Sequence, residues 1–120
     1  MKLGSIHHVA IIVSDYERSK KFYVEKLGFE IIRENYRAER GDYKLDLKLD
    51  GCELEIFSAV GNPPRPSYPE ACGLRHLAFR VESAEETVAW LRKLGIECEP
   101  VRIDPFTRKR MTFFFDPDGL

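Results

Sequence analysis

Hydrophobic positions along the chain change period in a repeated order. His8-Val9-Ala10-Ile11-Ile12-Val13 is a short apolar run of strand length, and His76-Leu77-Ala78-Phe79-Arg80-Val81 repeats it at an offset of 68. A helix signal follows each run. Ser14-Asp15 caps a predicted helix that runs to about Leu27 and is closed by Gly28, with Tyr16, Tyr23 and Leu27 on one stripe. Ser83 with Glu86 three residues on forms a capping box for a second helix through Leu94, closed by Gly95. Ala84, Val88 and Leu91 give that helix its buried stripe. Lys26-Leu27-Gly28-Phe29-Glu30 matches Lys93-Leu94-Gly95-Ile96-Glu97 at an offset of 67, so the second helix is one residue shorter.

The pattern then alternates with period two. In the first half it predicts strands at Phe29 to Tyr36, Tyr43 to Asp50 and Cys52 to Ser58, with Asp50-Gly51 as a hairpin turn. Tyr43, Leu45, Leu47 and Leu49 alternate with Lys44, Asp46, Lys48 and Asp50, which gives this strand one wet face. The second half predicts strands at Glu99 to Ile103 and Lys109 to Asp116, with Asp118-Gly119 as the matching turn. Its third strand would begin at Leu120, the last residue of the sequence. The expectation is an α+β fold of two tandem βαβββ modules forming a curved mixed sheet with helices on its convex side. The first module spans residues 1–60, a proline-rich linker 61–73, and the second module 74–120 with its last strand truncated, within a single domain over 1–120.

Duplicated modules present equivalent positions to one another, which singles out His8 and His76. Alternation places His8, Ala10 and Ile12 on one face and Val9, Ile11 and Val13 on the other; His76, Ala78 and Arg80 share a face in the second copy. The wholly apolar faces are expected against the helices, with the histidines on the concave side beside small alanines. His7, which faces the other way, reads as structural. Glu55 lies near the middle of an otherwise hydrophobic strand, where a bare carboxylate is costly. A cation explains it. A lone strand histidine is ordinarily structural, but two at equivalent positions with a carboxylate nearby point to a metal, and imidazole with carboxylate oxygen suits Zn, Ni, Co, Mn or Fe alike. The same offset puts a fourth ligand four residues after Gly119, beyond Leu120. Glu53, on the same face as Glu55 but nearer the turn, reads as a solvated edge residue.

Composition narrows the partners. A formal charge of -1 on 120 residues gives no broad attraction to phosphate or anionic lipid, so neither nucleic acid nor membrane is expected as a partner. Arg108-Lys109-Arg110 is a solvated loop or small anion site, and Phe113-Phe114-Phe115 reads as core strand. Cys52, Cys72 and Cys98 are odd in number and lack CxxC spacing, which suggests reduced thiols. With no signal-peptide pattern at the amino end, the expected location is cytoplasmic.

The set His8, Glu55 and His76, the paired modules, Ser19-Lys20-Lys21-Phe22-Tyr23 before Leu27-Gly28-Phe29, and Phe115-Asp116-Pro117-Asp118-Gly119 resemble the vicinal oxygen chelate superfamily of glyoxalases, bleomycin-resistance proteins and extradiol dioxygenases. Arg75-His76-Leu77-Ala78-Phe79 and Asp104-Pro105-Phe106-Thr107 resemble its small bacterial YaeR-like, glyoxalase I-related branch. The resemblance implies one divalent transition metal per site, held by His8, Glu55 and His76 and a glutamate past Leu120. It implies a glyoxalase I-type (lactoylglutathione lyase-like) isomerase, a carbon-sulfur lyase acting on the hemithioacetal of a 2-oxoaldehyde and a thiol cosubstrate, with Glu55 as catalytic base, and commonly a homodimer. Ile12 stands where glutathione-using relatives carry an arginine; the equivalent residue of the second half, Arg80, then becomes the candidate for gripping a substrate anion, or is a surface strand residue. An extradiol-type Fe(II) dioxygenase and a non-catalytic drug-binding resistance protein are the alternatives.

Overall fold

The computed structural model describes residues 1–120, in the order β1 (His8–Val13), α1 (Tyr16–Lys20) continued by a π-helical turn (Lys21–Lys26), β2 (Glu30–Arg37), β3 (Asp42–Leu49), β4 (Cys52–Ser58), α2 (Ala84–Lys93), β5 (Arg102–Ile103) and β6 (Arg110–Met111). It divides into two compact units, Met1–Pro64 and Arg65–Leu120, the break falling within the proline-rich stretch.

The first unit holds a four-stranded mixed sheet in the order β1-β4-β3-β2. β1 runs parallel to β4, while β3 pairs antiparallel with both β4 and β2. Asp50 and Gly51, the latter at φ 81°, make the β3–β4 turn, a backbone conformation that glycine adopts without Cβ strain. One face of the sheet is dry. Leu45, Leu47, Leu54 and Ile56 are wholly inaccessible, and Ile11 and Val13 complete the layer. Each such side chain contributes about 1.5–3 kcal/mol of hydrophobic stabilisation. The first helix meets this side through Tyr16, whose ring stacks on Tyr43 at 4.3 Å and whose hydroxyl donates to Glu34. Burial, with the Glu34 carboxylate beside it, pushes the Tyr16 phenol well above its ordinary range.

The helix starts are those the caps predict. Asp15 Oδ1 accepts from Arg18 N at 3.1 Å, and Ser83 Oγ accepts from Glu86 N at 3.2 Å. Both ends carry a glycine at φ 79°, Gly28 and Gly95, each followed by an apolar residue whose amide returns to the last turn. The first helix differs in one respect: its second half is π-helical, with Leu27 N donating to Phe22 O at 2.9 Å. One residue inserted into an α-helix produces such a turn, which accounts for the residue by which the first copy exceeds the second.

The second unit departs from expectation. Ala84, Val88 and Leu91 are buried as the stripe requires. The two predicted strands pair as an antiparallel hairpin, but the regular ladder is confined to Arg102↔Met111 and Ile103↔Arg110. Further bonds from Glu99 N to Phe113 O and from Asp104 N to Lys109 O, both 2.9 Å, extend the pairing outward. His76–Val81 carries no strand ladder. In the first unit the equivalent run is paired along its length with β4.

Candidate functional site

The second face of the first unit's sheet carries the chemistry. β1 offers His8, Ala10 and Ile12 to it, β4 offers Glu53, Glu55 and Phe57, β3 offers Lys44, Asp46 and Lys48, and β2 offers Arg33, because residues paired across strands point the same way. Ala10 sits opposite Glu55, and its small side chain leaves His8 room to reach across: His8 Nε2 stands 3.3 Å from Glu55 Oε2. The other oxygen of Glu55, Oε1, lies 3.3 Å from Lys44 Nζ.

Lys44 continues the chain of contacts to Asp46, with Nζ 2.9 Å from Oδ1, and Arg33 Nε donates to Asp46 Oδ2 at 2.5 Å. Arg33 Nη2 then stands 3.8 Å from Glu53 Oε2. Asp46 was expected on a wet face; it is completely buried. Two cationic side chains close over it, and their long aliphatic stems exclude water while their heads bind the carboxylate. Burial acts to raise the Asp46 carboxyl, but the hydrogen bonds from Lys44 and Arg33 prevail and hold it below the ordinary aspartate range. Reciprocally, the hydrogen bond to Asp46 is the main cause that raises Lys44, and likewise Arg33. Arg37 stacks over Phe57 at 4.8 Å, and Lys44 Nζ lies 5.8 Å from the same ring.

Of the predicted site residues, the structure brings His8 and Glu55 together. His76 belongs to the second unit, where its ring edge meets Phe113 at 5.6 Å, and Arg80 is exposed there. No group of three or more His, Cys, Asp or Glu side chains stands at metal-binding spacing. Glu53 is a partly buried partner of Arg33 rather than a free edge residue. His7 lies just before β1; its carbonyl accepts from Glu53 N at 3.0 Å, and its Nδ1 is 2.9 Å from His8 Nδ1, so its side chain is beside His8 and not turned to the other face. Strand alternation does not bind a residue outside the strand. Sequence reasoning placed Lys44 and Asp46 on a wet face and did not single out Arg33, although alternation across the Asp50-Gly51 turn already put Lys44 and Asp46 on the face of Glu55.

The donor set suits a divalent cation as far as it is assembled. Nitrogen and oxygen ligands bind first-row ions at about 2.0–2.2 Å, so neighbouring donors of one ion lie about 3–3.4 Å apart. The 3.3 Å between His8 Nε2 and Glu55 Oε2 meets that spacing. His8 Nδ1 lies 2.9 Å from His7 Nδ1, so a tautomer of His8 protonated at Nδ1 would leave the Nε2 lone pair for coordination.

The family model of the Glyoxalase/Bleomycin resistance protein/Dioxygenase superfamily matches residues 5–120. Among curated relatives, YwkD of Bacillus subtilis (strain 168) is 61% identical over 121 residues, covering 100% of this chain and 94% of the relative. YaeR of Escherichia coli (strain K12) is 52% identical over 119 residues, covering 98% of this chain and 92% of the relative. The crystal structure of the glyoxalase family protein from Enterococcus faecalis is 66% identical, with a TM-score of 0.91 over 97% of this chain and 92% of that one. Distant relatives include the probable lactoylglutathione lyase of Vibrio parahaemolyticus, 28% identical over 99% of this chain and 88% of its own length, and the mouse mitochondrial methylmalonyl-CoA epimerase, 27% identical over 79% of this chain and 56% of its own. The match over nearly the whole chain, together with the α+β architecture that carries His8 and Glu55 on adjoining strands, establishes that the chain belongs to the Glyoxalase/Bleomycin resistance protein/Dioxygenase superfamily.

Proposed function

We propose that this protein is a metal-dependent isomerase of glyoxalase I type, acting on the adduct of a 2-oxoaldehyde and a thiol or on a similar small oxygenated substrate. The observation that carries the reading is the 3.3 Å approach of His8 Nε2 to Glu55 Oε2 from adjacent parallel strands. His8, Glu55 and His76 would hold the ion, with a fourth carboxylate at the position four residues after Gly119 that the repeat assigns. A divalent ion held there would polarise the substrate's two vicinal oxygens and stabilise negative charge as it develops on them.

Glu55 then acts as the base. Its carboxylate takes the proton from C1 of the hemithioacetal, the C–H electron pair becomes the second C1–C2 bond and the C2=O π pair moves onto that oxygen; the proton then returns to C2 while the C1 hydroxyl proton passes to the C2 oxygen, giving a 2-hydroxyacyl thioester with no atom gained or lost. Arg80 is assigned to an anionic group of the substrate. The same proton abstraction beside a carbonyl would serve an epimerase, which fits the distant likeness to methylmalonyl-CoA epimerase.

The test is metal content by elemental analysis of the wild type, His8→Ala and His76→Ala, followed by isomerase assays on methylglyoxal with a panel of thiols after anaerobic loading with Ni(II), Co(II) or Zn(II). Near-stoichiometric metal in the wild type, its loss in both variants and turnover without oxygen are expected. Equal metal in all three proteins overturns the ligand assignment, and activity that requires both Fe(II) and oxygen overturns the isomerase in favour of a dioxygenase.

A further inference from the structure

The proposed chemistry leaves one buried cluster without a role. Asp46 is fully inaccessible, yet it sits on the site face directly across from Glu55 in the β3–β4 ladder. Two carboxylates facing each other across a strand pair repel. A sheet needing only stability would place an apolar residue here, since burying charge is costly even when it is paired. The pair is instead bridged: Lys44 Nζ stands 2.9 Å from Asp46 Oδ1 and 3.3 Å from Glu55 Oε1, so one ammonium serves both carboxylates.

Lys44 has little freedom to do otherwise. Asp46 holds its head, Phe57 lies opposite it in the ladder, and Asp46 is itself clamped from the far side by Arg33. The consequence falls on Glu55. With Oε1 committed to Lys44, only Oε2 faces His8.

We propose that Lys44, anchored by the buried Asp46, is a positioning residue that divides the two oxygens of Glu55, holding Oε1 on the ammonium and presenting Oε2 alone to the site. The inference rests on the reading of Glu55 as a metal ligand. A carboxylate that binds an ion through one oxygen leaves a coordination position for a substrate oxygen, which a chelating carboxylate would fill. The device belongs to the first unit alone, being built from β2, β3 and β4.

The experiment pairs two readouts on the full chain. Crystal structures of the metal-free wild type, Lys44→Met and Lys44→Arg show the Glu55 side chain directly, and Co(II) titration followed by calorimetry and visible absorption reports affinity and coordination number. In the wild type Oε2 faces His8. In Lys44→Met Glu55 turns so that this contact is lost or shared by both oxygens, Co(II) affinity falls by about 10-fold to 100-fold, the range for residues supporting metal ligands, and the visible band changes intensity with coordination number. Lys44→Arg restores the wild-type Glu55 position. Asp46→Asn, which keeps the lysine and removes its anchor, displaces Glu55 in the same way and serves if Lys44→Met fails to fold. Glu55 retaining its wild-type position in Lys44→Met, or in Asp46→Asn if that variant is the one used, overturns the inference whatever the metal does. Failure of every protein, wild type included, to bind Co(II) overturns the metal reading, and the Glu55 position still decides this one.

Discussion

The same six-residue pattern has two outcomes in this chain. At His8–Val13 it is a laddered strand, hydrogen-bonded in parallel to β4 along its whole length; at His76–Val81 it carries no ladder. The helices that follow are alike in caps, stripe and closing glycine, and differ by the one residue that the π-helical turn absorbs. The contrast separates two kinds of information. Caps, stripes and turns act within a few residues and are specified wherever their sequence recurs. A strand exists only as part of a pair, so its ladder depends on what stands beside it.

The sharpest break of the comparison is in the core that the first half completes. Leu54→Ala, at a wholly buried position in the central strand β4, is expected to cost about 2–5 kcal/mol in denaturant unfolding, through lost burial and the cavity left behind. Native-state hydrogen exchange gives the matching readout on the second half. The β1 and β4 amides should be protected by orders of magnitude over those of Leu77 to Val81, and equal protection would contradict the difference in pairing.

A middle-sized effect is read by pH at the buried carboxylate of the first half. Asp46 has a folded-state pKa below its unfolded value, so its contribution to stability is present above the ordinary aspartate range near 3.8 and is lost as pH falls through the lowered folded value. Acid titration of the wild type should therefore show stability declining below about pH 4, and Asp46→Asn should flatten that decline while weakening the protein at neutral pH, where Arg33 and Lys44 lose their shared partner. An unchanged acid profile in the variant would show that other carboxylates carry the dependence. Glu34, lowered chiefly by its hydrogen bond from Lys20 and then by that from Tyr16, adds to the slope in the same direction.

The smallest effect tests the likeness rather than the difference. Asp15→Ala and Ser83→Ala each remove one side-chain acceptor at a helix start and should each cost about 0.5–2 kcal/mol by thermal unfolding. Costs differing several-fold between the two would mean that the helices, although alike in sequence, depend on their caps to different degrees.

Part of the candidate face is legible in the sequence. Period-two alternation put His8 and Glu55 on one face, and the parallel pairing of β1 with β4 placed them side by side with Ala10 between. Lys44 and Asp46 were legible only as polar residues on that face. A pattern records that a side chain is charged and which way it points, but not whether a neighbouring strand brings a cation over it, and solvated and buried carboxylates look alike in a sequence. His7 shows the opposite case: strand alternation was applied one residue past the end of the strand.

By itself the sequence determined the duplication, the helix boundaries and caps, the hairpin turn, the two faces of each first-half strand and the residues suited to metal chemistry, all properties carried by contiguous residues. Only the tertiary structure decided that Asp46 is buried, that one lysine serves two carboxylates, and that the second copy of the first strand carries no ladder. Each of these depends on groups from different strands meeting at a few ångströms, where burial and charge pairing act and sequence separation has no bearing.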